Sequence, residues 1–292
     1  MRFKNTLKII ENTKIWFTIS LIIIVVGFGA LITKGLNYGI DFRGGTILVI
    51  EMEKDFNKPD VDKIVKKYAS DAITNKANRT QIEIKSNNIT DDEAKKIFSE
   101  LKGKYKLKDK DLVSQNRIGA SVGKELKQKA VTSLVLATLA MLLYVAIRFE
   151  FKFGLAAILG LVHDIMITIG VYAIFQIPLN SSFIAAILTI VGYSINDTIV
   201  IFDRIRENKK KFRKINDEEL ANISITQTMS RSINTVLTTL ITITSVYILV
   251  PSVRDFTFPL LIGIVCGCYS SIFISSPIWV IFKNKSLKKA RA

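Results

Sequence analysis

Apolar residues fall into six long runs, each fenced by charged or turn-forming residues. They span Ile15 to Thr33, Ala130 to Ile147, Phe153 to about Pro178, Leu179 to Phe202, the stretch between Arg231 and Arg254, and that between Asp255 and Lys283. A helix needs about 20 apolar residues to cross the hydrocarbon of a bilayer. The pattern therefore predicts six membrane-spanning helices. The first run is long for a cleaved leader and lacks a small-residue cleavage site, so it is expected to be an uncleaved first span.

Between the first two runs the pattern changes. Thr46 to Met52 is β-rich, and Pro59 opens a segment with Val61, Ile64, Val65, Tyr68, Ala69 and Ala72 on one helical face. Gln81 to Lys85 alternates like a strand with one buried side. Thr90-Asp91-Asp92-Glu93 reads as a capping box for a helix carrying Ala94, Ile97, Phe98 and Leu101 and stopping at Gly103. A third strand is placed around Asp111 to Ile118. The order β-α-β-α-β suggests a small α+β, ferredoxin-like domain with one sheet face free. The fold class expected is thus an α-helical integral membrane protein, six transmembrane helices with this domain between spans one and two. Glycine-rich stretches flank the domain: Gly39 to Gly45, which holds Asp41-Phe42-Arg43-Gly44-Gly45, and Gly119 to Gly123. Glycines permit tight turns where a moving domain meets the membrane.

Composition agrees with the pattern. Of 292 residues 49% are hydrophobic, and mean hydropathy is +0.32. The net charge of +16 is read as topology, not as nucleic-acid binding. Segments 1–14, 148–152, 203–231 and 283–292 hold 19 of the 41 Lys and Arg, whereas the short loops near 176–180 and 251–256 hold only Arg254. By the positive-inside rule both termini and the 203–231 loop are expected on the cytoplasmic side, and the long first loop outside. The predicted organisation is 1–34, cytoplasmic N-terminus and first span; 35–125, extracytoplasmic domain; 126–283, spans two to six; and 284–292, cytoplasmic tail. Glu218 to Ser230 is expected to be an amphipathic helix on the inner surface. Cys266 and Cys268 sit two apart on a helix and point apart, which excludes an intrachain disulfide between them. His163 is the only histidine. With no metal-ligand spacing, phosphate loop or nucleophile elbow, no metal, cofactor or hydrolytic chemistry is expected.

Asp197 interrupts the fourth run. Charge inside a bilayer is costly, which points to use. Tyr193, Asp197 and Arg204 share a helical face, with Ser194 beside them; Thr189, Asn196 and Asp203 lie on an adjacent face. The fifth run carries a polar stripe of Arg231, Asn234, Thr235, Thr238, Thr242 and Ser245. Spans four and five are neighbours through one loop, so Asp197 can face Arg231. Asp164, beside His163, adds a third charged position in span three. Low dielectric and a nearby cation act oppositely on a carboxyl group, so an Asp–Arg pair suits a proton switch. A static buried ion pair, or hydroxyls that only pack helices, is the other reading of the same residues.

Val191 to Glu207, reading VGYSINDTIVIFDRIRE, closely resembles the fourth-span signature of the SecD/SecF family, in its SecF branch, within the RND superfamily. DFRGG at Asp41–Gly45, GLVHD at Gly160–Asp164 and SRSINT at Ser230–Thr235 support the match, which covers nearly the whole chain. The resemblance implies an accessory subunit of the Sec protein translocase that pairs with SecD. It implies use of the proton-motive force to draw unfolded polypeptide through the SecYEG channel of the inner membrane, alongside other Sec accessory subunits. Carried over by position, Asp197 is the proton-responsive carboxylate and Arg231 its partner. Asn196 and Asp164 join the proton-coupling set, and Asp41, Phe42, Gly44 and Gly45 form the interdomain hinge. Two alternatives stay open: an RND-type half-transporter for a lipid or small molecule, and a translocon scaffold that moves no protons.

Overall fold

The computed structural model describes residues 6–289 apart from 78, 149 and 213. The first helix, α1 (Thr13–Lys34), ends at Gly35, and a four-residue helix α2 (Ile40–Arg43) follows. Gly44 and Gly45 then turn the chain into the sheet domain. Their φ values are +85° and +154°, and a Cβ on Gly45 would stand 2.4 Å from the Ser86 carbonyl. Only glycine fits such a turn without strain.

The domain is β1 (Gly45–Glu51), α3 (Lys58–Tyr68), β2 (Ile73–Ala77), β3 (Gln81–Ser86), α4 (Asp91–Tyr105) and β4 (Leu112–Ile118). The sheet order is β2-β3-β1-β4 and every pairing is antiparallel, the ferredoxin-like arrangement. Leu48 and Ile50 of β1 and Ile82 and Ile84 of β3 alternate onto one face. There they are fully buried with Val61 and Val65 of α3 and Ile97 and Leu101 of α4. The expected capping box is present: the Glu93 amide donates to Thr90 Oγ1 at 3.3 Å, and the Thr90 amide to Glu93 Oε2 at 2.8 Å. Two details differ from expectation. The sheet has four strands, because β2 is an edge strand whose one strong apolar residue, Ile73, is exposed. The α4 helix runs past Gly103 to Tyr105, where Lys106 in the left-handed region ends it.

The other long helices are α5 (Ala120–Arg148), α6 (Phe151–Phe175), α7 (Ser181–Lys211), α8 (Asp217–Leu249), α9 (Arg254–Ser270) and α10 (Ser276–Lys289). One π turn, Ser271–Ser275, joins the last two into a single span. Pro277 explains the turn. Its ring cannot donate to, and clashes with, the carbonyl four residues back. The widened turn leaves the Ser271 carbonyl to accept from Ser276 Oγ at 2.8 Å. Among the described residues there are thus six helical segments long and apolar enough to cross a membrane. Segments α6, α7 and α9–α10 form the centre of the bundle. The faces of α1 and α5 expose rows of Ile, Val and Leu, as lipid-facing helices do.

The surface helix expected at 218–230 is not separate. Asn216 caps α8 by accepting from the Glu219 amide at 2.7 Å, and no Gly or Pro interrupts the helix before Pro251. Its first turns are buried beneath the N-terminal segment. There the amides of Ile9 and Ile10 both donate to Asn222 Oδ1 at 3.1 Å. The expected tail at 284–292 continues α10 as far as 289, and the rest of it lies outside the described residues.

Candidate functional site

The residues singled out in span four sit on α7, whose start is held by α2. Asp41 Oδ2 accepts from the Ser181 amide at 2.7 Å and from Ser181 Oγ at 2.5 Å. Free amides and the positive helix end make this position favourable for a carboxylate. The backbone adds to it: Gly39 N donates to the Leu179 carbonyl at 2.7 Å, and Leu179 N to Asn37 O at 2.8 Å. Phe42 lies edge-on to Tyr38, with centroids 6.2 Å apart. A Cβ on Gly123 would stand 2.7 Å from the Phe42 carbonyl oxygen, so glycine allows α5 to touch α2. Asp255 Oδ2 accepts from Asn180 Nδ2 at 2.8 Å and lies 3.8 Å from Lys85 Nζ of β3, tying the sheet to the same end of the bundle.

Four turns along α7, Asp197 faces α8. Ser232 Oγ donates to Asp197 Oδ1 at 2.7 Å, while Oδ2 is buried with no hydrogen-bond partner. Tyr193 makes another link between these helices, donating to Thr239 Oγ1 at 3.2 Å. Arg231 neighbours Ser232 in sequence, but a one-residue step turns the helix about 100°, and its side chain is exposed. Among the described residues no salt bridge joins it to Asp197. It lines an open cavity with Asp203, Arg204 and Glu207 instead. Those three are engaged locally, Arg204 with Glu207 and Arg206 with Asp203, each at 2.9 Å. Asn196 is exposed on the neighbouring face. The span-five stripe also lies on the outside. Thr235, Thr238, Thr242 and Ser245 donate back to carbonyls four residues earlier at 2.8–3.0 Å, which satisfies the hydroxyls within the helix.

Asp164 is a different kind of carboxylate. It is fully buried; Oδ2 accepts from Ser194 Oγ at 2.7 Å and Ser270 Oγ at 2.8 Å, and Oδ1 lies 2.9 Å from His163 Nδ1. His163 Nε2 reaches Ser20 Oγ at 2.9 Å. With Asp164 ionised, Nδ1 carries the ring proton and Ser20 donates to Nε2. One side chain thereby connects α6 to α7 and α9, and its neighbour to α1. A second hydroxyl link, Thr198 Oγ1 to Ser271 Oγ at 2.7 Å, joins α7 to the π turn. Asp164 and Asp197 thus differ: the first is saturated by donors, the second has a bare oxygen. Ser232, Ser194, Ser270, Ser20 and Ser181 were not singled out as partners from sequence. Ser232 and Ser194 lie within a turn of a charged residue and Ser181 at a helix start, a signal that is faint among the many serines and threonines of these spans, while Ser20 and Ser270 carry no such mark. Among the described residues no group of three or more His, Cys, Asp or Glu converges as a metal site.

Comparison with known proteins decides the family. Residues 97–285 match the model for "Protein export membrane protein SecD/SecF, C-terminal", and residues 29–55 match that for the "SecD/SecF GG Motif". The chain belongs to the SecD/SecF family. It is 40% identical to the protein translocase subunit SecF of Sebaldella termitidis, over 95% of this chain and 92% of that one. It is 38% identical to the SecF of Haemophilus influenzae, over 91% and 82%. Among solved structures it resembles SecDF, a translocon-associated membrane protein from Thermus thermophilus, with a TM-score of 0.81 and 34% identity over 97% of this chain. The chain spans 40% of that SecDF chain. The SecD/SecF GG motif coincides with the end of α1, the Asp41 cap, the two positive-φ glycines and β1. Membership and the six long apolar segments make this a multi-pass membrane protein.

Proposed function

We propose that this chain is the SecF-type accessory subunit of a Sec translocase, pairing with SecD and using the proton-motive force to promote polypeptide export through the SecYEG channel. The observation that carries the reading is the bare Oδ2 of Asp197, buried between α7 and α8 beside a face of exposed polar residues. A polar helix face in a bilayer needs protein or water against it. Asn196, Asn234 and Thr238 offer that face to SecD. In this reading Asp197 takes up and releases the proton, and Arg231, exposed in the isolated chain, completes its charge environment in the assembled complex. Asp164 holds the helices in register around it. The termini lie in the cytoplasm and residues 35–125 outside the inner membrane. Asp41, Phe42, Gly44 and Gly45 form the hinge by which that domain follows α7. The work done is transport, with no substrate bond cleaved by this chain.

The test is proton-motive-force-dependent export with Asp197→Asn, with the amounts of the variant and of its SecD complex measured alongside. Lost export with a normal complex supports proton coupling at Asp197. Unchanged export overturns it and leaves a scaffold.

A further inference from the structure

The hinge covers one end of an apolar crevice unrelated to Asp197. It lies between α5, α6 and α7 and encloses about 660 Å³ of empty space continuous with the surroundings. Tyr38 and Phe42 line it beside the hinge, and Leu134, Ile169, Phe183 and Ile187 line its length. From Lys127 to Leu134 along α5 is about 10 Å at 1.5 Å per residue. Among the described residues Lys127 is the only charged one lining the crevice. Its Nζ stands 4.3 Å from the Tyr38 ring centroid, and among the described residues no carboxylate lies within salt-bridge distance. Lys124, one turn earlier on the same face, is exposed and likewise without a carboxylate partner among the described residues.

The position of the crevice identifies its occupant. Beyond Lys129, α5 exposes Val131, Val135, Leu136, Leu139 and Leu143, the surface of a helix that faces lipid. Lysines at the end of such a helix lie at headgroup depth, where Lys and Arg stems reach the interface. Water gains few hydrogen bonds in a crevice lined this way. A protein partner is better suited to the polar α7–α8 face, and one seated on α5 would have to match two unpaired cations. We infer that the crevice binds one anionic phospholipid, an acyl chain lying along Leu134 and Ile187 and the phosphate against Lys127 and Lys124. The lipid fills the space beneath Phe42 and so supports the hinge from below.

The experiment uses the full chain in its complex with the partner subunit, in nanodiscs holding trace phosphatidylglycerol or phosphatidylcholine with a diazirine on the acyl chain. Cross-linked peptides are mapped by mass spectrometry. Phosphatidylglycerol is expected to label the crevice segments of α5 and α7 more strongly than phosphatidylcholine. Lys127→Gln is expected to lower that labelling about fivefold, the weight of one basic contact with an anionic surface, and Lys127→Arg to retain it. Leu134→Trp, which fills the crevice, is expected to abolish it while labelling of the outer α1 surface persists. Equal labelling by both lipids, indifferent to Lys127→Gln, would mean ordinary boundary lipid and overturn the inference. So would absence of crevice labelling by either lipid, which would show that the partner subunit covers it.

Discussion

Asp41 and Ser181 are 140 residues apart in sequence, yet the Asp41 carboxylate closes the first turn of the helix that carries Asp197. One hydrogen-bonded contact therefore links α2, which leads into the sheet domain, to the helix that carries Asp197. Asp41→Ala is expected to cost about 1 kcal/mol, as loss of an N-terminal cap does. It should also raise amide hydrogen exchange at residues 181–183 selectively. Asp41→Asn keeps an acceptor and should lose less. Equal protection in all three proteins would show that the contact does not hold α7.

Asp164 should behave as a structural group. Replacing it with Ala leaves the hydroxyls of Ser194 and Ser270 and the ring of His163 facing a void, and each buried donor left without its acceptor costs about 1–3 kcal/mol. Thermal unfolding of the purified complex should fall well below wild type for Asp164→Ala. It should change little for Asp197→Asn, which removes no more than one hydroxyl contact. If the two variants melt alike, Asp164 does not carry the packing assigned to it.

Much of this was readable in the order of residue types. Six apolar runs became six spanning segments, because only helices of that length satisfy their own backbone in hydrocarbon. The capping box at Thr90 and the alternation at Gln81 to Lys85 are local codes, and both appear as read. What failed was decided by tertiary contact. The edge strand β2 is defined by pairing with β3, not by its own composition. The first turns of α8 read as a surface amphipath because their cover, Ile9 and Ile10, lies more than 200 residues away. At the candidate site the acidic residues were legible, being rare in apolar sequence. Their hydroxyl partners were not, since a serine in a span costs little and is common. Arg231 was placed near Asp197 by proximity of the two helices; the hydrogen bond itself comes from Ser232, one residue on, with Arg231 close enough for its charge to be felt there.

At the end of the bundle remote from the sheet, Glu150 accepts from Lys283 at 2.9 Å and from Lys209 at 3.4 Å. The Lys283 hydrogen bond, with the charges of both lysines, holds the Glu150 carboxyl below its ordinary range. A carboxyl lowered on folding stabilises the folded state above its unfolded value, near 4.3. That contribution is lost as pH falls through the lower folded value. Wild type should therefore lose stability on acidification below about pH 4.3 more steeply than Glu150→Gln. The two should differ by a constant, small amount from pH 6 to 8, since the pair is half exposed and screened. Parallel melting curves at all pH values would show that the pair contributes nothing.

Ser232 offers the most direct test of the Asp197 environment, because its hydroxyl is the hydrogen-bond donor the structure gives that carboxylate. Ser232→Ala removes one oxygen atom on which the helix backbone does not depend, so assembly with SecD should be normal. A hydrogen bond to a charged group contributes about 1.5–3 kcal/mol. If Asp197 must lose and regain a proton in each cycle, that change should slow proton-motive-force-dependent export about tenfold or more. Ser232→Thr, which restores a hydroxyl at the same position, should recover most of the rate. Export measured with the proton-motive force dissipated should be the same in all three proteins. A rate unaffected by Ser232→Ala would show that this hydroxyl does not tune Asp197, and a rate unrecovered by Thr would assign the loss to packing between α7 and α8.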